Sequence, residues 1–144
     1  MRYWLFKSEP EVFGWQHQLA VGPKGAEWYG VRNYQARNNM REMEIGDLGF
    51  FYHSVNEKRI MGVVEVCGSA HPDSTSDDER WVCVDVRALE ALPRPVSLAA
   101  CREDPALKDM VLVNNTRLSV QPVTEAEWRR ICEMGGLVRM GDPA

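Results

Sequence analysis

Residues 47–66 read DLGFFYHSVNEKRIMGVVEV, and this stretch decides the class of the fold. On an extended chain, successive side chains alternate between faces. Asp47–His53 therefore puts Leu48, Phe50 and Tyr52 on one side and Gly49, Phe51 and His53 on the other. Ile60–Val66 is rich in β-branched residues, which suit a pleated strand. The polar link Val55–Arg59 makes this second run the return arm of a hairpin. Working outward, Arg2–Lys7 reads as a short aromatic strand. Trp81–Arg87 alternates, with Val82, Val84 and Val86 opposing Trp81, Cys83, Asp85 and Arg87. Val111–Val113 and Leu118–Val120 are further short strand segments.

Helices are fewer. Asn33–Met43 carries Ala36, Met40 and Met43 at i, i+4 and i+7, an apolar stripe, with Arg37 and Arg41 together on another side. Thr124-Glu-Ala-Glu127 is a capping box that opens a helix to about Met134. Shorter helical turns are expected near Glu11–Leu19 and Ser97–Cys101. Short strands with flanking short helices define an α+β fold on a small twisted sheet or barrel. No repeat or linker divides the 144 residues, so one domain over residues 1–134 is expected, with 135–144 a flexible tail. The polar run Asp73–Arg80 (DSTSDDER) reads as one exposed loop.

The formal net charge is −4, which argues against coating a polyanion by bulk charge. The charge is unevenly spread. Residues 1–41 carry a net of +3 and the remainder −7. From Trp28 to Arg41 there is no acid, while Arg32, Arg37 and Arg41 all fall there. The four cysteines are well separated, without a C-x-x-C pair, and read as free thiols in a reducing cytoplasm. The start MRYWLFKSEP is apolar for four residues only, neither a secretory signal nor a membrane span. A cytoplasmic monomer that does not engage membrane is expected.

Common catalytic patterns are missing. There is no G-x-G-x-x-G and no P-loop. His17, His53 and His71 do not neighbour a cysteine or one another at ligand spacing, so no metal and no cofactor are expected. His53, Ser54 and Asp73 invite a hydrolase reading. Adjacent strand residues point to opposite faces, so His53 cannot serve Ser54 as base if both lie in the strand.

Trp28 stands out in GAEWYGVRNYQARNNMR. It is either a core or lid residue, or a flat platform on which a base or cation stacks, worth roughly 1–3 kcal/mol for a base. Asn33 is either a helix N-cap or, with Arg32 beside it, part of an anion site at that helix end. Ser8, in Ser8-Glu-Pro-Glu11, either starts a turn or joins Lys7 at a pocket mouth. Tyr52, His53 and Ser54 end a strand, where polar residues line pockets or simply meet water.

The blocks YWLFKSEP, W-x-GVRNYQARNNMR-x-M-x-x-GD, FFYHS, the run Ala70–Asp73 and RLSVQPVT at Arg117–Thr124 together resemble the EVE domain family. The resemblance runs from about Arg2 to Ile131. It implies a PUA-like fold, a small β-pseudobarrel with flanking helices, similar to the YTH domain. It implies binding of a modified nucleobase in DNA or RNA without a cofactor. By the same resemblance, Lys7, Ser8, Trp28, Asn33, Tyr52, His53 and Ser54 surround a central cleft, with Asp73, Arg117 and Ser119 near it. Trp28 would form one aromatic wall and Tyr52 or Tyr29 the other. Lys7, Arg32, Arg37 and Arg117 would hold flanking phosphates. Two other classes are an enzyme on nucleic acid or a nucleotide, using His53 and Asp73 as acid and base, and an interaction module whose pocket takes a small molecule or peptide.

Overall fold

The computed structural model describes residues 1–137. Strand β1 (Tyr3–Ser8) is followed by helices α1 (Pro10–Phe13) and α2 (Trp15–Val21), strand β2 (Ala26–Glu27) and helix α3 (Tyr34–Glu42). Then come strands β3 (Leu48–His53), β4 (Arg59–Pro72) and β5 (Val82–Ser97). Helices α4 (Leu98–Glu103) and α5 (Val111–Asn114), strand β6 (Val120–Val123) and helix α6 (Glu125–Gly135) complete the described chain.

The β3–β4 hairpin read from residues 47–66 is present. Leu48 pairs with Glu65 and Phe50 with Val63, with a bulge between Phe51 and Tyr52. The strands assemble in the order β2-β5-β4-β3-β1-β6. All neighbours run antiparallel except β1 and β3, which are parallel from Tyr3↔Leu48 to Ser8↔His53. A parallel pair needs a long crossover, and α1, α2, β2 and α3 supply it. The sheet has two open ends, β2 and β6, so the fold is α+β and its ladder does not close into a barrel.

Alternation splits the core into two layers. Leu5, Phe50, Tyr52, Ile60 and Val63 face one side and bury Trp128 and Ile131 of α6. Trp128 stacks on Phe50 at 3.9 Å and on Tyr3 at 4.6 Å. Trp4, Phe6, Phe51, Val64, Val84 and Val86 face the other side, against Trp15, Trp28 and the Ala36–Met40 stripe of α3. Close approach there requires Gly62, where a Cβ would lie 2.4 Å from the Trp15 ring.

Several expected elements change. Val111–Val113 is helix α5, because Met110 O accepts from the N–H groups of Val113 and Asn114 and Leu112 enters the core. The last strand begins at Val120, not Leu118. The Glu11–Leu19 turn is two helices broken at Gly14. β4 and β5 extend well beyond the expected runs. The expected caps at Asn33 and Thr124 are made, each accepting a backbone N–H, and Ser97 caps α4 in the same way. Ser8 is not a cap; its hydroxyl donates to Phe13 O at 2.6 Å. α6 ends at Gly136 in the left-handed region (φ 80°), and Leu137 is buried. The rest of the expected tail, 138–144, lies outside the described residues.

Candidate nucleobase site

A cleft of about 160 Å³ opens at the C-terminal end of β1. Lys7 and Ser8 come from β1, Val12 and Phe13 from α1, Glu27–Val31 from the exit of β2, and Ser119 from the approach to β6. Drug-sized pockets run to roughly 300–1,000 Å³, so this cleft suits one flat heterocycle.

Its walls are aromatic. Trp28 is held by its N–H to Val84 O at 2.8 Å. Its ring meets Phe6, Phe51 and Phe13 edge-on, at centroid distances of 5.0, 5.4 and 6.4 Å. Only 6% of Trp28 is exposed, so it is both a core residue and the cleft's inner wall. Tyr29 follows on the outer lip and is 46% exposed. The sequence reading missed Phe13, which the Ser8 hydroxyl ties down through its carbonyl. The available signal was Pro10, which suits the first position of a helical turn.

Polar groups rim this wall. Lys7 donates from Nζ to Thr116 O at 2.9 Å, and burial pulls its ammonium below the usual lysine pKa. Ser119 brings a hydroxyl that can donate and accept, while the Ser8 hydroxyl, its proton given to Phe13 O, is left to accept. The Gly30 lip is braced from below. Asp73 Oδ2 accepts from Gly30 N at 2.7 Å and Arg32 Nη1 at 3.1 Å, while Oδ1 accepts from Thr75 N and Oγ1 at 2.8 and 2.6 Å. Burial pushes the Asp73 pKa up, but the hydrogen bonds from Thr75, Gly30 and Arg32 outweigh it and hold the group down at about 2. Asp73 is 1% exposed, so the root of the DSTSDDER run is buried rather than solvated.

Of the site residues expected from sequence, Lys7, Ser8, Trp28 and Ser119 line this cleft. The others are placed elsewhere. Tyr52 alternates with Phe51 and so faces the opposite layer, where it and Ser54 line a second cleft of about 230 Å³ that shares Lys7. His53 is buried, with Nε2 accepting from Trp15 N at 2.9 Å and Nδ1 3.4 Å from Glu57 Oε2. Asn33 uses its side-chain oxygen as the α3 cap. Arg32 pairs with Asp73, and its guanidinium lies 5.7 Å from the Trp81 ring. Arg117 is exposed and lines neither cleft. His53 and Asp73 do not serve a common cleft as acid and base; each is spent on backbone and neighbouring groups.

Beside the lip, Tyr34 stacks on Trp81 at 5.0 Å, and Arg37 lies over Tyr34 at 4.8 Å. Arg80 donates to the Tyr34 hydroxyl at 3.1 Å. Three guanidiniums thus lie around two partly exposed rings, next to the mouth of an aromatic cleft.

These features define a small α+β domain with a one-base-sized aromatic cleft and a basic flank. The EVE domain model matches residues 2–134, and the chain belongs to the EVE domain family. Human thymocyte nuclear protein 1 is 34% identical over 158 residues, covering 88% of this chain and 70% of the human protein. A crystal structure from Agrobacterium tumefaciens matches with a TM-score of 0.96 and 54% identity over the whole of both chains. The human THYN1 protein, solved in complex with 5-methylcytosine-containing DNA, matches with a TM-score of 0.85 and 33% identity, over 94% of this chain and 98% of that one. The fold also extends to a YTH domain from Zygosaccharomyces rouxii, solved with N6-methyladenosine RNA, at a TM-score of 0.54 and 19% identity over 93% of this chain and 86% of that one.

Proposed function

We propose that this chain is a non-catalytic reader of a modified nucleobase in DNA or RNA, acting as a single domain over residues 1–134 in the cytoplasm. The observation that carries the reading is the cleft itself. It is one base in size, walled by Trp28, Phe13 and Tyr29 and rimmed by Lys7, Ser8 and Ser119. The human relative solved with methylated DNA supports it. No helix among the described residues is long and apolar enough to cross a membrane.

A base inside a duplex must leave its stack to enter such a cleft. Trp28 and Phe13 then cover its apolar surface, including an added methyl group. The hydroxyls of Ser8 and Ser119 meet its polar edge, and Lys7 meets the adjoining phosphate. Arg32, Asn33, Tyr52, His53, Ser54, Asp73 and Arg117 act through the frame or through the flanking strand, not against the base.

The test is a titration with short single- and double-stranded oligonucleotides bearing 5-methylcytosine or N6-methyladenine, read by anisotropy. We expect tighter binding than to the plain sequences. Tyr29→Ala should weaken binding with little loss of stability, because that ring is half exposed. Equal affinity for modified and plain oligonucleotides would sink the reading. If a small molecule or peptide quenches tryptophan fluorescence and nucleic acid does not compete with it, the cleft serves an interaction module instead.

A further inference from the structure

The short strand that precedes Trp28 joins β4 and β5 in gathering a set of metal-ligating side chains, of which Glu27 also lines the cleft. Cys83 and Asp85 lie two residues apart on β5, on one face of the sheet. Register places His71 of β4 opposite Cys83 and Glu27 of β2 opposite Asp85. Sequence spacing hid this grouping, because the three strands meet only in the fold.

Glu27, His71 and Cys83 each bring one donor atom, and these atoms all lie within 4.8 Å of one another. His71 Nε2 is 3.0 Å from Asp85 Oδ1 and 3.7 Å from Cys83 Sγ. His71 Nδ1 is 3.1 Å from Pro72 O. An N–H on Nδ1 satisfies that carbonyl and leaves a lone pair on Nε2. Nε2 then faces a carboxylate oxygen, so either a proton on Nε2, which makes the His71–Asp85 hydrogen bond, or a bound cation joins the two groups. A second ring nitrogen bound to a backbone carbonyl is the usual support of a metal-ligating histidine.

The Nε2–Sγ spacing of 3.7 Å suits a tetrahedral ion, while the 3.0 Å Nε2–Oδ1 contact is a hydrogen-bond distance that must open as an ion enters. Zn–N and Zn–O bonds of about 2.0–2.2 Å and a Zn–S bond of about 2.3 Å separate N from O by roughly 3.4 Å and N from S by roughly 3.6 Å. Cys83 Sγ is also 3.8 Å from Nδ1, so it stands over the imidazole. Ligation takes a partial turn of the ring about its Cβ–Cγ bond, a broad torsion. The His71 and Asp85 side chains are about one-third exposed, which leaves a way in. Two carboxylates around one thiol and one imidazole favour a borderline dication over hard calcium or magnesium.

We propose that Glu27, His71 and Cys83, with Asp85 as the fourth donor, form a binding site for a divalent cation of the zinc class. This site is independent of the base reading. Its consequence reaches the cleft, however, because Glu27 adjoins Trp28 and lines it. A bound ion would pin β2 to β4 and β5 and fix that wall.

The experiment uses the full chain, stripped with a chelator and kept reduced, then titrated with cobalt(II) and with zinc against a chromophoric competitor. We expect one cobalt per chain, intense tetrahedral visible bands and a thiolate-to-cobalt absorption in the near ultraviolet. Cys83→Ser should remove that absorption. Glu27→Gln and His71→Ala should each weaken zinc at least roughly tenfold. Circular dichroism and a metal-free melt establish that each variant is folded. A zinc-induced rise in the melting temperature of wild type, absent in His71→Ala, is the second readout. No saturable binding, or an unchanged band in folded Cys83→Ser, would overturn the proposal.

Discussion

Replacing Asp73 by Asn tests how the cleft lip is held. The buried carboxylate accepts four hydrogen bonds, two on each oxygen. An amide keeps one oxygen and turns an NH₂ toward the two donors of the other. Two bonds are lost, and each is charge-assisted because the acceptor is an ionised carboxylate. Bonds to a charged group contribute about 1.5–3 kcal/mol each, so Asp73→Asn should destabilise by about 3 kcal/mol or more at pH 7. For a chain of this length that is a fall of roughly 6–12 °C in melting temperature.

The pH dependence sharpens the test. Asp73 titrates near 2 in the folded protein against an ordinary value of 3.8. At about 1.4 kcal/mol per unit, its ionisation contributes about 2 kcal/mol. A carboxyl depressed by folding stabilises fully above its unfolded pKa and loses that contribution as pH falls through the folded one. The gap between wild type and Asp73→Asn, measured by urea denaturation, should therefore shrink by about 2 kcal/mol between pH 5 and pH 2. Asp47, also held low by its bonds to Glu44, Trp4 and Arg2, is common to both proteins and cancels in the difference. A gap below about 0.5 kcal/mol at pH 7, set against roughly 1.5 kcal/mol for even one bond, would refute the reasoning. So would a gap that stays constant with pH.

Three further changes probe other parts of the molecule. Arg37→Ala should lower oligonucleotide affinity and reduce the salt slope by roughly 0.7 on single strands, while a free modified nucleoside binds as before; an unchanged slope would remove Arg37 from the phosphate path. Gly62→Ala should destabilise by about 1–3 kcal/mol through overpacking, since the new methyl meets Trp15 and the Glu90 carbonyl; a neutral result in thermal melts would show that Trp15 gives way freely. Thr124→Ala removes half of the capping box and should cost about 0.5–2 kcal/mol, visible as a lower urea midpoint at unchanged slope.

What the sequence revealed follows the physical range of each signal. The β3–β4 hairpin was legible because its alternation and its link are local. The caps at Asn33 and Thr124 were legible for the same reason. Val111–Val113 misled because β-branched composition argues for a strand, while Met110 O and the core position of Leu112 decide for a helix turn. Trp28 could be singled out, yet its neighbours in space come from α1, β3 and the approach to β6, which no spacing reports. Tyr52 is paired with Lys7, and His53 with Ser8, in the parallel β1–β3 ladder, but the Tyr52 side chain faces the other layer. Asp73 looked like loop solvation because seven polar residues follow it; only the fold shows Gly30 and Arg32 above it.

The charge split gains a structural meaning from the same arrangement. Arg32 is balanced by Asp73 inside the lip and Arg80 by Asp78 beside it. Arg37 is placed differently: it donates to the Asn38 side chain and to the Arg80 carbonyl, and no carboxylate pairs with it among the described residues. Lys7 likewise donates to a carbonyl, that of Thr116. Of the cations at the cleft and its lip, Lys7, Arg32, Arg37 and Arg80, only Lys7 and Arg37 are without a carboxylate partner among the described residues. Two contacts cannot give strong non-specific binding at physiological salt, because that affinity grows with the number of phosphates neutralised. Discrimination must then come from the aromatic cleft, where apolar contact is paid for only by a base that fits.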